Sequence, residues 1–269
     1  MHQAVKPPWG AASDVGGRRK INEDAYLAQS PIFVVADGMG GHQRGEVASA
    51  IAAREFATLS HFMALEPQQV DACFERAATT MRATLPSGVG GTTVCGVAIV
   101  LQDGAAYWLV FNLGDSRAYH LDTAGKLTQI SVDHSVVQEL IDAGVLTAQE
   151  AQTHAERHVI TRALETLTTP EPDYWLLPIA QGDQILLCSD GLTNELSDEE
   201  LGDIWRSTTN PQQVADNLVQ AANNAGGRDN ITVVVVTSDA APTTASLGFE
   251  VTRSGPPPHP PLPPQTRSE

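Results

Sequence analysis

Residues 32–38 read Ile-Phe-Val-Val-Ala-Asp-Gly, a short apolar run that ends in an acid and a glycine. A run without alternating polar residues predicts a strand that is buried on both faces. The acid is then expected at the rim of a sheet, where the glycine lets the chain turn sharply. A single Asp-Gly pair of this kind is ordinarily only a turn.

Similar acids recur at the ends of other apolar runs. Asp190 follows QILLCS, and Asp115 follows WLVFNLG. Asp229 precedes the run 231–237, and Glu23 and Asp24 lie at the start of the first predicted strand. If these ends converge, their charges repel strongly in a low dielectric unless some carboxyls are protonated or divalent cations neutralise them.

Oxygen ligands without His or Cys suit Mg²⁺ or Mn²⁺ and not zinc. Two such ions about 3.5–4 Å apart, bridged by a water, generate a hydroxide nucleophile and clamp a transferring phosphoryl group. The pattern therefore indicates a metal-dependent hydrolase, provided that the strand ends meet. Spacing in the sequence leaves that convergence open.

The remaining apolar patterns predict the fold class. Strands are predicted at 24–28, 32–36, 92–101, 106–112, 116–121, 184–189 and 231–237, and helices at 45–64, 67–84, 134–143, 197–206 and 211–225. Ser197 with Glu200 forms a capping box, and Asn210-Pro211 is typical of a helix start. Because strands occur in groups without a helix between each pair, an α+β layered sandwich of two antiparallel sheets flanked by helices is expected.

The composition predicts one domain over 1–240 and a disordered proline-rich tail over 241–269. The chain has 269 residues, and eight of its 17 prolines lie in this tail. We expect the tail to be extended and polyproline-like, either as an inert end or as a ligand for an aromatic groove on a partner.

Charge and cysteine content indicate which partners and which cellular compartment to expect. The chain carries 32 acids and 16 bases, a net charge of −16, which disfavours nucleic acid and membrane surfaces as partners. Three cysteines without Cys-x-x-Cys spacing predict buried reduced thiols. The N-terminus lacks the apolar region of a signal peptide, and the apolar runs are too short to span a bilayer. We expect a soluble cytoplasmic monomer.

Eight motifs, in this order along the chain, resemble those of the bacterial protein phosphatase 2C family of metal-dependent Ser/Thr phosphatases. They are RKINED (19–24), VVADGMGGHxxGE (34–46), GGTT (90–93), NLGDSRAY (112–119), DHS (133–135), TRAL (161–164), SDGL (189–192) and GRDNITVVVV (227–236). The resemblance covers roughly residues 10–238. It implies a β-sandwich with a binuclear Mn²⁺ or Mg²⁺ centre at one end, where a metal-bridging hydroxide hydrolyses phosphoserine and phosphothreonine in proteins and so opposes a Ser/Thr kinase.

The resemblance also implies roles for individual residues. Asp37 is expected to bridge both metals. Glu23 and the Gly38 carbonyl are expected on one metal, and Asp190 and Asp229 on the other. Asp115 is expected to bind a third and weaker metal, Asp24 to orient water ligands, and Arg19 to bind phosphate. His42 is either a loop histidine without a role or an acid or supporting group near the leaving oxygen. Animal members carry a histidine at the position that is Met39 here, so the general acid is left open, with a metal-bound water as the other candidate.

The stretch 133–165 matches the flap beside the family's active site, where gating and substrate selection are expected. Two alternatives are weighed there. His154, Glu156 and His158 have a spacing that would also suit a metal cluster on a helix, although the flap carries no ligands in the family. Arg162 either adds a phosphate contact or forms a structural ion pair.

Two other functions remain as rivals. The chain could be an inactive family member that serves as a binding scaffold, or it could hydrolyse small phosphoesters, because the motifs build the reaction centre and not the substrate preference.

Overall fold

The run 32–36 is a strand in which all five residues are buried, as predicted. It lies in a computed structural model that describes residues 7–40, 44–86, 88–102 and 105–238. In chain order the strands are β1 (Trp9–Asp14), β2 (Ala25–Gln29), β3 (Ile32–Ala36), β4 (Gly38–Met39), β5 (Gly91–Thr92), β6 (Val94–Gln102), β7 (Ala105–Leu113), β8 (Arg117–Leu121), β9 (Leu127–Gln129), β10 (Leu164–Glu165), β11 (Asp173–Pro178), β12 (Gln184–Cys188) and β13 (Ile231–Thr237).

These strands form two five-stranded sheets and one small sheet. The large sheets have the orders β1-β13-β12-β8-β9 and β11-β7-β6-β3-β2, and the small one has the order β10-β5-β4. Every pairing between these strands is antiparallel. The predicted fold class, an α+β sandwich of antiparallel sheets, is confirmed.

Helices cover both outer faces of the sandwich. They are α1 (Arg44–Ala57), α2 (Pro67–Thr84), α3 (Val136–Asp142), α4 (Ala148–Ala151), α5 (Asp190–Thr193), α6 (Asp198–Arg206) and α7 (Pro211–Ala225). Helices α1 and α2 pack on the β3 sheet, and α6 and α7 pack on the β13 sheet. The predicted N-caps are present, because Ser197 accepts a hydrogen bond from the Glu200 N–H and Asn210 accepts from the two residues after Pro211.

The two faces of β3 show why its run is apolar throughout. Phe33 and Val35 contact the layer between the two sheets, whereas Ile32 and Val34 contact α1 and α2. Both faces are therefore removed from water. The run must end at a rim, and Asp37 is the first residue beyond it.

The predicted secondary structure is wrong at the end of one helix and incomplete in the strands. Helix α1 ends at Ala57 and not at 64, because the Thr58 hydroxyl donates to the Glu55 carbonyl and residues 58–60 form tight turns. Five strands, β1, β4, β9, β10 and β11, are absent from the predicted elements. After Trp9, strand β1 consists of small and polar residues, which become ordered by pairing with β13. Strand β11 has prolines just before it and at its last residue, and these obscure its alternating burial.

All three cysteines are free and buried, as predicted. Among the helices of the described residues, none combines the length and hydropathy needed to cross a membrane. The predicted tail, 241–269, lies outside the described residues.

Candidate metal centre

The backbone of Asp37 is held by the neighbouring Gly-Gly-Thr-Thr segment. The Asp37 N–H donates to Thr93 Oγ1 over 3.0 Å, and Thr92 Oγ1 donates to the Asp37 carbonyl over 2.9 Å. The Thr93 N–H donates to the same carbonyl, also over 2.9 Å. Both sides of the peptide chain at Asp37 are thus fixed, which sets the direction of its carboxylate.

Gly38 is required at the next position by close packing. A side chain there would collide with the carbonyl oxygens of Glu23 and Gly45. The glycine therefore brings the Glu23 segment and the start of α1 against the end of β3, and its role is a close approach more than the sharp turn that the sequence suggested.

The Glu23-Asp24 segment is held in place by Asn230. The Asn230 side chain accepts from the Glu23 N–H over 2.8 Å and donates to the carbonyls of Val15 and Ile21. Asn230 is therefore a link between the chain before Asp24 and the loop that carries Asp229, and not only a residue of a turn.

Asp190 and Asp115 reach the same rim from other strands. Asp190 starts α5 directly after β12, and its Oδ2 accepts from the Asn194 amide over 2.9 Å. Asp115 follows β7, and the neighbouring Ser116 hydroxyl lies 2.7 Å from Thr93 Oγ1. The two loops that carry Asp115 and Asp37 are therefore joined through Thr93.

The pKa of Asp37 shows that these carboxylates converge. Burial raises the pKa of Asp37 well above its usual range, and neighbouring negative charges raise it further. These charges belong to Asp24, Asp190, Asp115 and Asp229. The convergence that sequence spacing left open is thus present in the structure.

The same environment acts on the other acids. Burial, followed by neighbouring carboxylates, raises the pKa of Asp24 to about 6 and that of Asp115 to about 7. It also raises the pKa of Asp190, although hydrogen bonds from Asn194 and from the Asp37 carboxyl partly offset the effect. The rim therefore retains protons that isolated carboxylates would release.

We define the carboxylate rim as Glu23, Asp24, Asp37, Asp115, Asp190 and Asp229. Two of its oxygens, Glu23 Oε1 and Asp24 Oδ1, are buried without a hydrogen-bond partner. A buried acceptor of this kind is costly unless a cation or water satisfies it. Together with the oxygen-only donor set, these orphaned atoms fit hard divalent cations.

Within the described residues, no three His, Cys, Asp or Glu side chains are already arranged around a single cation position. The contacts at the rim explain this, because Asp37 and Asp190 share a hydrogen bond and Arg19 pairs with Asp229. The rim carboxylates therefore satisfy one another in part, and cations would replace those contacts.

Comparison with known proteins agrees with this geometry. Residues 17–223 match the family model described as protein phosphatase 2C. The chain belongs to the protein phosphatase 2C family. A serine/threonine phosphatase Stp of Listeria monocytogenes is 34% identical over 243 residues, which cover 84% of this chain and 94% of that protein.

Solved structures of the family superpose on most of the chain. The crystal structure of the Mycobacterium tuberculosis serine/threonine phosphatase PstP has a TM-score of 0.80 and 34% identity, covering 87% of this chain and 99% of that one. The catalytic domain of a phosphatase PstP in complex with two manganese ions has a TM-score of 0.76 and 33% identity, covering 86% and 97%. The predicted family, fold and enzyme class, a protein phosphatase, are confirmed.

Arg19, the predicted phosphate ligand of this phosphatase, lies at the carboxylate rim. Its Nη2 donates to Asp229 Oδ2 over 2.7 Å, and 49% of its side chain is exposed. The negative charges of Asp229, Glu23 and Asp37 raise its pKa, although burial opposes this. Arg19 is thus a permanent cation beside the rim that also faces solvent.

The flap contains α3 and α4. An antiparallel β-bridge between Ser135 and Ile160 joins its two ends. His154 is half-buried between two turns, and Glu156 and His158 are exposed and lie in a turn, so no helix presents the three side chains and the helical metal cluster weighed from the sequence is wrong. The charge of His158 nevertheless lowers the pKa of Asp190, which indicates that the flap lies beside the carboxylate rim.

Two further candidates have different outcomes. Arg162 Nη1 donates to Asp173 Oδ1 over 3.4 Å, which supports the structural ion pair, whereas the phosphate contact stays a prediction. His42 lies outside the described residues, so the structure does not test its role.

Sequence reasoning missed a set of hydroxyl groups that support the rim. Ser189 Oγ donates to Asp24 Oδ2 over 2.8 Å and also accepts from the Thr232 N–H. A signal was available, because Ser189 and Ser116 each stand directly beside a strand-end acid. Serine at such positions is so common in turns that the sequence alone does not single them out.

Proposed function

We propose that this chain is a Mn²⁺- or Mg²⁺-dependent phosphatase that hydrolyses phosphoserine and phosphothreonine in proteins. The observation that carries the proposal is the convergence of the rim carboxylates, with raised pKa values and two orphaned buried oxygens, in a member of the protein phosphatase 2C family. A related catalytic domain was solved with two manganese ions, which supports the choice of cation.

The family motifs assign the rim residues to the cations. One cation would be held by Glu23 and the Gly38 carbonyl, a second by Asp190 and Asp229, and Asp37 would be shared between them. Asp115 would hold a third and weaker cation together with Asp190. When bound, the ions polarise the phosphoryl oxygens and lower the pKa of a coordinated water.

The protein's own groups bind and orient the substrate. The Arg19 guanidinium, planar and permanently charged, would hold two phosphate oxygens and stabilise the charge that they carry in the transition state. Asp24, fixed by Ser189 through one oxygen, keeps Oδ1 available to accept a hydrogen bond from water. Thr92 and Thr93 keep the Asp37 backbone in place throughout.

The substrates would be proteins phosphorylated by a Ser/Thr kinase, and the enzyme would act as a cytoplasmic monomer. The net charge of −16 disfavours nucleic acid as a partner. The surroundings of the rim, including the flap and the exposed Arg19, would select among phosphorylated segments.

An activity assay tests the proposal and its rivals. The full chain is assayed on p-nitrophenyl phosphate and on phosphothreonine peptides, with Mn²⁺ and with EDTA, alongside Asp37→Asn as the matched inactive variant. We expect hydrolysis of both substrates with Mn²⁺ only. Activity on the small ester alone would favour a phosphatase of small phosphoesters, and inactivity on both would favour a scaffold.

A further inference from the structure

A buried histidine outside the carboxylate rim connects three parts of the site. His134 is 4% exposed and lies at the start of the flap, just before the residue that caps α3. Asp173, the first residue of β11, is 1% exposed and lies beside it. Buried ionisable groups at such a junction are costly unless they are paired, so their arrangement calls for an explanation.

His134 binds Gly114 in both directions. The His134 N–H donates to the Gly114 carbonyl over 2.9 Å, and the Gly114 N–H donates to His134 Nδ1 over 3.1 Å. Nδ1 is thus the hydrogen-bond acceptor of the ring. Both backbone groups of the residue before Asp115 are therefore held by this one histidine.

The other side of the ring faces an ion pair. His134 Nε2 lies 3.4 Å from Asp173 Oδ2, and Arg162 Nη1 lies 3.4 Å from Asp173 Oδ1. Arg162 supplies the positive charge that Asp173 requires, and Asp173 fixes the ring through Nε2. Arg162 Nη1 also lies 3.5 Å from His134 Nε2, so this side of the ring is held between the arginine and the carboxylate.

His134 also joins the two ends of the flap. The Thr161 N–H donates to the His134 carbonyl over 2.8 Å, and Ser135 bridges Ile160. The chain therefore enters and leaves the flap at one point, and that point is tied to Gly114.

Gly114 in turn determines where Asp115 lies. It has a φ of +119°, a conformation that other residues rarely adopt, and a side chain there would meet Thr93. Because Thr93 also binds the Asp37 N–H and Ser116, a shift of Gly114 would move Asp115 relative to Asp37.

We propose that His134 is a positioning residue: held by Asp173 and Arg162, it fixes the backbone before Asp115 and joins both ends of the flap to it, so that the flap and Asp115 move together. The functional meaning of this link rests on the proposed phosphatase activity, but the link itself is a property of the metal-free protein and is testable without activity.

The test is hydrogen exchange of the metal-free full chain in EDTA, with wild type compared to His134→Leu and His134→Asn. Leucine removes the acceptor for Gly114, whereas the asparagine Oδ1 stands near the place of Nδ1 and retains it. We expect His134→Leu to speed exchange at Gly114 and across α3 by about tenfold or more, because a buried N–H loses its partner. His134→Asn is expected to restore Gly114 largely while leaving α3 intermediate.

His120→Leu is the matched control. His120 is also buried, and its Nε2 lies 3.4 Å from Asp183 Oδ2 on a part of the β13 sheet away from the flap. This variant should leave exchange at Gly114 and α3 unchanged. Equal acceleration throughout the domain in His134→Leu, or no change at Gly114 and α3, would overturn the proposal. If His134→Leu does not fold, Asp173→Asn is used, with α3 expected to exchange faster and the β3 strand unchanged.

Kinetics with Mn²⁺ provide a second readout. We expect kcat/KM on a phosphothreonine peptide to fall about tenfold in His134→Leu and to recover in His134→Asn. If wild type is inactive, the proposed function fails while the exchange result still decides the link. If wild type is active and His134→Asn is as impaired as His134→Leu, kcat/KM does not depend on the hydrogen bond between His134 and Gly114.

Discussion

The carboxylate rim and the root of the flap use the same residue type in opposite ways. At the rim, Asp37 faces four other carboxylates, and its pKa is raised well above the usual range. At the root of the flap, each carboxylate faces an arginine. Arg117 binds Asp133 through two nitrogens at 2.7–3.0 Å. We define this root as Arg117, Asp133, His134, Arg162 and Asp173.

The converging carboxylates of the rim need cations to neutralise them, whereas the paired carboxylates of the root stabilise the fold. Paired carboxylates stabilise the fold in the absence of any ligand. Converging carboxylates destabilise it until a cation neutralises them. Metal ions should therefore matter greatly to the rim and little to the root.

The largest expected effect is the loss of turnover in Asp37→Asn. The substitution keeps the shape but removes the charge that the cations would share, so kcat with Mn²⁺ should fall by about 10³-fold or more. Steady-state kinetics on a phosphothreonine peptide measure this. Activity within a few-fold of wild type would refute the assignment of Asp37.

The melting temperature of the same variant gives a second test of the difference between the rim and the root. In EDTA, Asp37→Asn should melt no lower than wild type, because it relieves repulsion at the rim. Asp133→Asn, at the root, should melt lower both with and without Mn²⁺, because it leaves Arg117 without its partner.

The pH dependence of stability should differ between the metal-free and metal-bound protein. Asp24 and Asp115 have folded-state pKa values of about 6 and about 7, above the ordinary value of 3.8. Groups with raised pKa bind protons more tightly in the folded state, so their contribution is full below about pH 4 and is lost as pH rises through 6–7.

In EDTA, we therefore expect the melting temperature to fall by several degrees between pH 4 and pH 8, since each kcal/mol lost lowers it by about 2–4 °C. Saturating Mn²⁺ should raise the melting temperature most at the high end of this range. Asp115→Asn serves as the control and should flatten the metal-free curve. A metal-free curve that rises steadily over this range would contradict the electrostatic account of the rim.

A smaller effect is expected for Arg19→Ala, which removes the arginine that pairs with Asp229 at the rim. Loss of the guanidinium should raise KM for the phosphopeptide by about 10-fold or more and lower kcat as well. Mn²⁺ affinity, measured by calorimetry without substrate, should not decrease, because Arg19 competes with cations for Asp229. A marked loss of Mn²⁺ binding would instead make Arg19 a structural residue.

The smallest effect is expected for removal of the proline-rich tail. We propose that the catalytic domain ends near residue 240, because Ser238, directly after β13, pairs through its backbone with Gly182 and Asp183, and the proline-rich composition begins soon after it. Truncation after Asp239 should leave the melting temperature and peptide kcat/KM unchanged within error. A drop of several degrees would place the tail among the groups that stabilise the domain.

The sequence by itself predicted the elements whose causes are local. The uniform run of β3 required burial on both faces, the capping signals at Ser197 and Asn210 placed two helices, and the repeated strand-end acids marked the rim. The family motifs then supplied the expected roles of these acids. Each of these signals lies within a few residues of the structure that it predicts.

Only the tertiary structure decided which distant residues support the rim. Asn230 holds Glu23 across 207 positions, and Asp173 orients His134 from a strand that the sequence did not reveal. Strand β1 likewise exists because β13 offers an edge for it to pair with. The physical reason is common to all three: a hydrogen bond or ladder between distant segments leaves no periodicity in either segment, so it becomes visible only when the chain has folded.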